Sequence, residues 1–117
     1  DYWDLIPVEV GMSIIKSGVI PGHACEFETS LGYAMYPEMV RRDMIPQPQK
    51  ISFPPYVRRT SVYGDIKFFT FFDDKPFTET GVKPIGNPTL ATPEKGRRLL
   101  EIAIDELASF IDAWCKG

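Results

Sequence analysis

The sequence is poor in the residues that most often build metal sites and disulfide frameworks. It has one histidine, His23, and two cysteines, Cys25 and Cys115, among 117 residues. A hydrolytic metal centre usually takes three or more protein ligands, and this chain has no further histidine to offer. Two cysteines are too few for a disulfide framework. A single bridge between them stays open, and reduced thiols in a cytoplasmic protein are the favoured interpretation.

Long apolar runs and an excess of basic residues are lacking as well. There is no apolar stretch of about 18 residues and no basic-then-apolar leader, so the sequence predicts neither a membrane span nor a signal peptide. The formal net charge is −3, which gives no electrostatic reason to expect binding to nucleic acid or to an anionic membrane. What is present, 117 residues with 44% hydrophobic content, is typical of one folded domain.

Helix signals occur at three places. Pro7 suits the first position of a helix that extends to about Ser17. The Glu-Thr-Ser triplet at 28–30 leads into a second helix that Pro37 stops, with a short continuation through Val40. In the last segment Thr92 can cap a helix that begins at Pro93. We expect this helix to pack on a sheet or a neighbouring helix through its apolar face, which holds Leu100, Ala103, Ile104, Leu107, Phe110, Ile111 and Trp114.

Two segments have the composition of strands. Residues 2–6 form a short aromatic and aliphatic run, and residues 66–72 form a dense apolar run that is rich in β-formers and too short for a typical helix. Residues 41–64 combine prolines with arginine pairs, which is the composition of an irregular loop.

The strongest candidate site lies at residues 22–30, Gly-His-Ala-Cys-Glu-Phe-Glu-Thr-Ser. His23 supplies an imidazole that titrates near neutral pH, and Glu26 and Glu28 supply hard oxygen donors that suit a divalent cation. At a helix N-terminus these side chains fit either helix capping or a metal-binding, catalytic role. A lone histidine in a turn is more often an ordinary hydrogen-bonded residue. Cys25 is expected to be a small buried residue and not a nucleophile.

Three segments, in order, resemble the C-terminal half of the creatininase (creatinine amidohydrolase) family. The first is Asp-Tyr-Trp-Asp-Leu-Ile-Pro at 1–7. The second, at 22–30, resembles the family's His-Ala-Gly-Glu-x-Glu-Thr-Ser pattern with Cys25 in place of Gly. The third, at 81–96, resembles Gly-Asp-Pro-Thr-Leu-Ala-x-x-Glu-Lys-Gly with Asn87 in place of Asp. The resemblance spans essentially the whole chain.

The resemblance implies an α/β fold with three α/β/α layers, to which this chain contributes part of the sheet and the flanking helices. It also implies a metal-dependent hydrolase of cyclic or linear non-peptide amides. By position, His23 matches the family's catalytic histidine. Glu28 matches an acidic residue that we place at the metal centre, and Glu26 would line the pocket or orient His23.

The family's N-terminal half has no counterpart in these 117 residues. It carries a Glu-x-His-Gly metal motif, a downstream Asp ligand and an Asn-Gly-His-Gly-Gly-Asn segment. We therefore expect a divalent metal, zinc, manganese or iron, to be shared with residues outside this chain. A second chain or a missing N-terminal segment would complete the domain, in an oligomer that is commonly a hexamer.

Two other interpretations stay open. The chain is either a non-catalytic subunit that keeps the fold for assembly or regulation, or an independent small binding domain whose likeness to hydrolases is superficial. His23 and Glu28 count mildly against the non-catalytic interpretation, because such a subunit would not need them.

Overall fold

A computed structural model describes residues 2–17, 24–48 and 86–117. Within these stretches the α-helices are α1 at Val8–Ile14, α2 at Glu26–Met35 and α3 at Pro93–Lys116. Short 3₁₀ turns occur at Tyr2–Leu5, Pro37–Met39, Arg42–Met44 and Pro88–Leu90. None of the helices in the described stretches is long and apolar enough to cross a membrane.

The expected α/β fold with part of a three-layer sheet is wrong for the described chain, which contains helices and no strand. The run at 2–6, predicted to be a strand, forms a 3₁₀ turn in which the Ile6 N–H donates to the Trp3 carbonyl at 3.2 Å. A strand needs a neighbouring strand for its backbone groups, and the described segments offer none, so short-range bonds and burial of Ile6 decide the conformation. The other predicted strand, at 66–72, lies outside the described residues.

The first two predicted helices are confirmed with different bounds. α1 ends at Ile14 and not near Ser17, because Ile15 is extended and places its side chain in the core. α2 begins at Glu26 and ends at Met35, just before Pro37, which opens the 3₁₀ turn that corresponds to the predicted continuation.

The third predicted helix is confirmed at its start. Thr92 Oγ1 accepts a hydrogen bond from the Lys95 N–H at 3.3 Å, and Pro93 takes the first helical position. The predicted packing holds only for the first half of the helix. Ala103 is buried there, and so is Leu99, which the predicted face did not include. Large apolar side chains farther along α3 are exposed in the described structure: Ile104, Leu107, Phe110, Ile111 and Trp114.

The core lies where α2 crosses the beginning of α3. Its members are Ile6, Ile15, Cys25, Phe27, Leu31, Leu99 and Ala103. At the crossing point Gly96 touches the backbone of α2. A Cβ there would lie inside the contact distance of the Ser30 carbonyl and 2.9 Å from Ala34 Cβ. This close contact brings the part of α2 at Ser30 and Ala34 directly against the first turn of α3.

Candidate functional site

Glu26 is the first residue of α2, and its side chain is fully buried. The Lys95 ammonium, on the first turn of α3, contacts Glu26 Oε1 at 2.5 Å. On the opposite side of the carboxylate, the Lys16 N–H donates to both oxygens at 3.1 and 3.0 Å, and the Ser17 N–H donates to Oε2 at 2.7 Å. A buried charge is tolerated when it is paired and hydrogen-bonded, and Glu26 meets both conditions. The predicted pocket-lining or orienting role of Glu26 stays a prediction, and any such role has to act through these contacts.

The same contacts lower the pKa of the Glu26 carboxyl group. Burial raises the pKa of the carboxyl group, but the hydrogen bonds from Lys95, Lys16 and Ser17 outweigh burial, and the pKa lies below its ordinary value of 4.5. The ionised form is therefore the one that the fold prefers.

We expect Glu26 to make the fold sensitive to acid. A carboxyl group whose pKa is lowered by folding contributes stability above its unfolded pKa of 4.5, and this contribution is lost as pH falls through the folded pKa. In urea unfolding, the free energy of unfolding should fall as the pH drops below the unfolded pKa of 4.5. The fall should be shallower in Glu26→Gln. Glu101→Gln, at an exposed position of α3, is the matched control. Equal pH slopes in wild type and Glu26→Gln would contradict the assignment.

Ser30 lies one turn after Glu26 on the same face of α2 and is also buried. Its Oγ accepts a hydrogen bond from the Thr92 N–H at 3.2 Å. The described parts of the two motif segments, residues 24–30 and 86–96, therefore pack against each other, since Lys95 pairs with Glu26 while Thr92 and Gly96 contact Ser30. Lys95 was missed by reasoning from the sequence. The Glu-Lys-Gly pattern around it was the available signal, but nothing local indicates its partner.

Asn87 stands where the family pattern has Asp. Its Oδ1 accepts hydrogen bonds from the Thr89 N–H at 3.1 Å and from Thr89 Oγ1 at 2.6 Å, at the start of the turn at Pro88–Leu90. An amide oxygen accepts such bonds as a carboxylate oxygen does. The replacement is therefore compatible with this turn.

Glu28 lies on a different side of α2 from Glu26. Two residues advance an α-helix by about 200°, so Glu28 is turned away from the face that Glu26 and Ser30 present to α3. Its side chain is only partly buried. Burial raises the pKa of the Tyr2 phenol, and the nearby charge of Glu28 raises it further. The Tyr2 ring stacks on Phe27 with centroids 6.4 Å apart, and Tyr2 is exposed, so Tyr2 lies near Glu28 beside the first turn of α2.

The backbone just before α2 is strained. Ala24 has φ of 47°, which costs a residue with a Cβ about 1–2 kcal/mol. Such strain persists where the surroundings impose it and is frequent at functional sites. The next residue, Cys25, is the N-cap of α2 and makes no side-chain capping bond. Cys25 is buried, as predicted, and within the described residues neither Cys25 nor Cys115 forms a disulfide.

The capping interpretation of residues 28–30 receives no support from these positions. The N-cap of α2 is Cys25, so the Glu-Thr-Ser triplet lies inside the helix. Ser30 instead bonds to the backbone ahead of α3. Glu28 keeps a partly exposed carboxylate, which is the ligand type that a divalent cation accepts, whereas Glu26 is already paired with an ammonium group.

The predicted catalytic residue His23 lies outside the described residues, and its role stays a prediction. The structure places the other two predicted site residues, Glu26 and Glu28, on different sides of α2. Within residues 2–17, 24–48 and 86–117, no three His, Cys, Asp or Glu side chains form a group that could hold a metal ion. A metal centre that uses Glu28 therefore needs ligands from outside the described stretches.

Comparison with known proteins points to one family. A family model described as creatinine amidohydrolase matches residues 7–111, which include both motif segments that meet at the crossing of α2 and α3. No curated protein and no solved structure matches the chain.

Proposed function

The chain belongs to the creatininase family, and from this premise we propose that it is a subunit or processed fragment of a metal-dependent amidohydrolase. Members of the family are hydrolytic enzymes and are typically metal-dependent. The proposed reaction cleaves a non-peptide amide C–N bond, cyclic or linear, through metal-activated water. The observation that carries the proposal is the position of Glu28. Its side chain is partly exposed and lies in the family motif, beside the strained backbone at Ala24. Glu26, in the same motif, is instead held by Lys95.

Each residue of the motif has a distinct part in this proposal. A divalent cation, zinc, manganese or iron, held in part by Glu28, would supply a hydroxide nucleophile at neutral pH and would polarise the amide carbonyl. Glu28 binds the cation or orients the attacking water. His23 donates a proton to the departing nitrogen, a contribution of about 10²–10⁴-fold, because an unprotonated amine leaves poorly. Glu26, bonded to Lys95, holds the first turn of α2.

We propose that a second chain or an N-terminal segment supplies the remaining metal ligands. The sequence supports this proposal, because the family's Glu-x-His-Gly motif and Asn-Gly-His-Gly-Gly-Asn segment have no counterpart in it. The second support is the row of exposed apolar side chains on α3, from Ile104 to Trp114, because an apolar surface of this kind usually packs against another polypeptide. The complete enzyme would then be an oligomer, hexamer-like in the family manner, acting on a small amide in the cytoplasm, where cysteines without a disulfide such as Cys25 and Cys115 persist.

A non-catalytic role in assembly or regulation is the second candidate. The contacts of Glu26, Ser30 and Lys95 favour it, because they account for several motif residues by folding alone. Glu28 favours the hydrolase over the non-catalytic role. In the described structure its carboxylate makes no hydrogen bond or ion pair like those of Glu26 and Ser30, so folding alone does not explain it.

Co-expression tests the proposal. The chain is purified alone and together with a creatininase-family chain that carries the Glu-x-His-Gly motif, and mass is measured by light scattering and metal by elemental analysis. We expect a complex that binds a divalent metal and hydrolyses creatinine or a related amide, and little metal on the chain alone. A stable, metal-free monomer that gains neither partner nor metal would contradict the proposal.

A further inference from the structure

The second half of α3 carries a row of apolar side chains that no other part of the described structure covers. α2 packs on the first half of the helix, where Leu99 and Ala103 are buried. Beyond that contact, five large apolar side chains are 43% to 78% exposed: Ile104, Leu107, Phe110, Ile111 and Trp114. A continuous apolar surface of this kind on a helix marks an interaction site.

The spacing of the row is that of a seam between two helices. Ile104, Leu107, Ile111 and Trp114 follow one another at intervals of three, four and three residues. Apolar residues at these alternating intervals keep facing a second helix that lies along the first. The row therefore indicates a helix as its partner.

A groove near the end of α3 has the form that a facing helix requires. It is lined by Phe110, Ala113, Trp114 and Gly117, which stand at positions i, i+3, i+4 and i+7. Four residues at this spacing form the hole that receives one side chain of a facing helix. The lining is almost wholly apolar, so the groove suits an apolar side chain.

A second α3 that runs in the opposite direction matches both the row and the charges at its ends. If the pair is centred on Ser109, Ile104 of one copy lies opposite Trp114 of the other and can enter the groove. Glu101 of one copy then lies beside Lys116 of the other, and both side chains are exposed. A parallel pair would instead bring like charges together and align the two helix dipoles.

We propose that the second half of α3 is a docking surface for the antiparallel α3 of a second copy of this chain. The contact spans about four helical turns and is smaller than the roughly 800 Å² per partner of a standard interface, so the dimer should be weak and dependent on concentration. The pairing goes beyond the proposed function. It leaves Glu28 accessible, because Glu28 lies on the side of α2 that is turned away from α3.

Sedimentation of the full chain at rising concentration tests the pairing. We expect the mass to rise from one copy to two. Leu107→Glu places a charge in the exposed row and should raise the dissociation constant by about 10-fold or more, with the helical circular dichroism retained. Ser109→Glu is the matched control. It adds the same charge at an exposed position on the opposite side of the same turn and should dimerise as wild type does.

Mild oxidation tests the direction of the pair, because Cys115 is exposed and Cys25 is buried. In the antiparallel pair Glu101 of one copy lies close to Cys115 of the other, whereas the two Cys115 side chains lie far apart. Glu101→Cys should therefore form disulfide-linked dimers much faster than wild type. Adding Leu107→Glu to Glu101→Cys should slow this cross-linking.

Four results would overturn the proposal. A chain that stays monomeric at every concentration would leave the row to another occupant. Equal dissociation constants for Leu107→Glu and Ser109→Glu would place the contact on another surface. Wild type that cross-links as fast as Glu101→Cys would contradict the antiparallel direction. A co-expressed creatininase-family chain that binds one copy of this chain, and that Leu107→Glu no longer binds, would assign the row to that chain.

Failure of the proposed function would look different from failure of the pairing. Glu28→Gln should dimerise as wild type does, whether or not Glu28 binds a metal in the complete assembly. The sedimentation of Glu28→Gln therefore reports on the α3 contact alone.

Discussion

Glu28→Gln in the complete assembly is expected to abolish most turnover and to lower the metal content. An amide oxygen is a much weaker ligand than a carboxylate, and the loss of kcat/KM should be about 10²-fold or more. Because the Glu28 side chain is partly exposed and lies away from the face that packs on α3, folding should be little affected. Elemental analysis and steady-state kinetics on the same preparation measure both effects.

Two further variants are compared with Glu28→Gln, one as a control and one at the other proposed site residue. Glu38→Gln, at an exposed position in the turn at Pro37–Met39, changes the same chemical group and should keep full activity and metal. His23→Ala should lose about 10²–10⁴-fold in turnover while metal is retained, because the histidine is assigned to proton transfer and not to metal binding. Unchanged turnover in both Glu28→Gln and His23→Ala would remove the site assignment.

Gly96→Ala is expected to have the largest effect on stability. The added Cβ would fall inside the contact distance of the Ser30 carbonyl, which is backbone and cannot move aside as a side chain can. The two helices would have to separate at the point where Lys95 and Thr92 also contact α2. We expect a loss of about 3 kcal/mol or more in the free energy of unfolding, measured by urea denaturation.

Gly32→Ala is the matched control, since it places the same methyl group inside a neighbouring helix. There the Cβ would lie 3.3 Å from Val40 Cγ2, a side-chain atom that can shift slightly. Alanine also favours the helical state by about 1 kcal/mol relative to glycine, so Gly32→Ala should stay within about 1 kcal/mol of wild type. Equal destabilisation by the two substitutions would show that the close crossing at Gly96 has no special importance.

Local features were predictable from the sequence, and features that depend on distant partners were not. The start of α3 was correctly placed because Thr92 and Pro93 act on their own helix. The burial of Glu26 was not foreseen, because its partner Lys95 lies 69 residues away along the chain. Helical periodicity places Glu26 and Glu28 on different sides of α2. It does not say which of the two sides is buried.

In the described residues, the prediction of a sheet is wrong for a similar reason. The run at 2–6 has strand composition, yet without a neighbouring strand in the described segments it forms a 3₁₀ turn and buries Ile6. The predicted apolar face of α3 included Ala103 but left out Leu99, which is the fully buried residue of this helix. α2 and the core cover Leu99 and Ala103, and the described chain leaves Leu107 and Trp114 exposed.

The most direct test of the central claim is to locate the metal in the assembled complex by anomalous diffraction at the metal absorption edge. The account predicts a peak within about 2.0–2.2 Å of a Glu28 carboxylate oxygen, with further ligands from outside this chain and with Glu26 still paired to Lys95. A metal bound without Glu28, or an active complex in which Glu28 contacts only solvent, would contradict it.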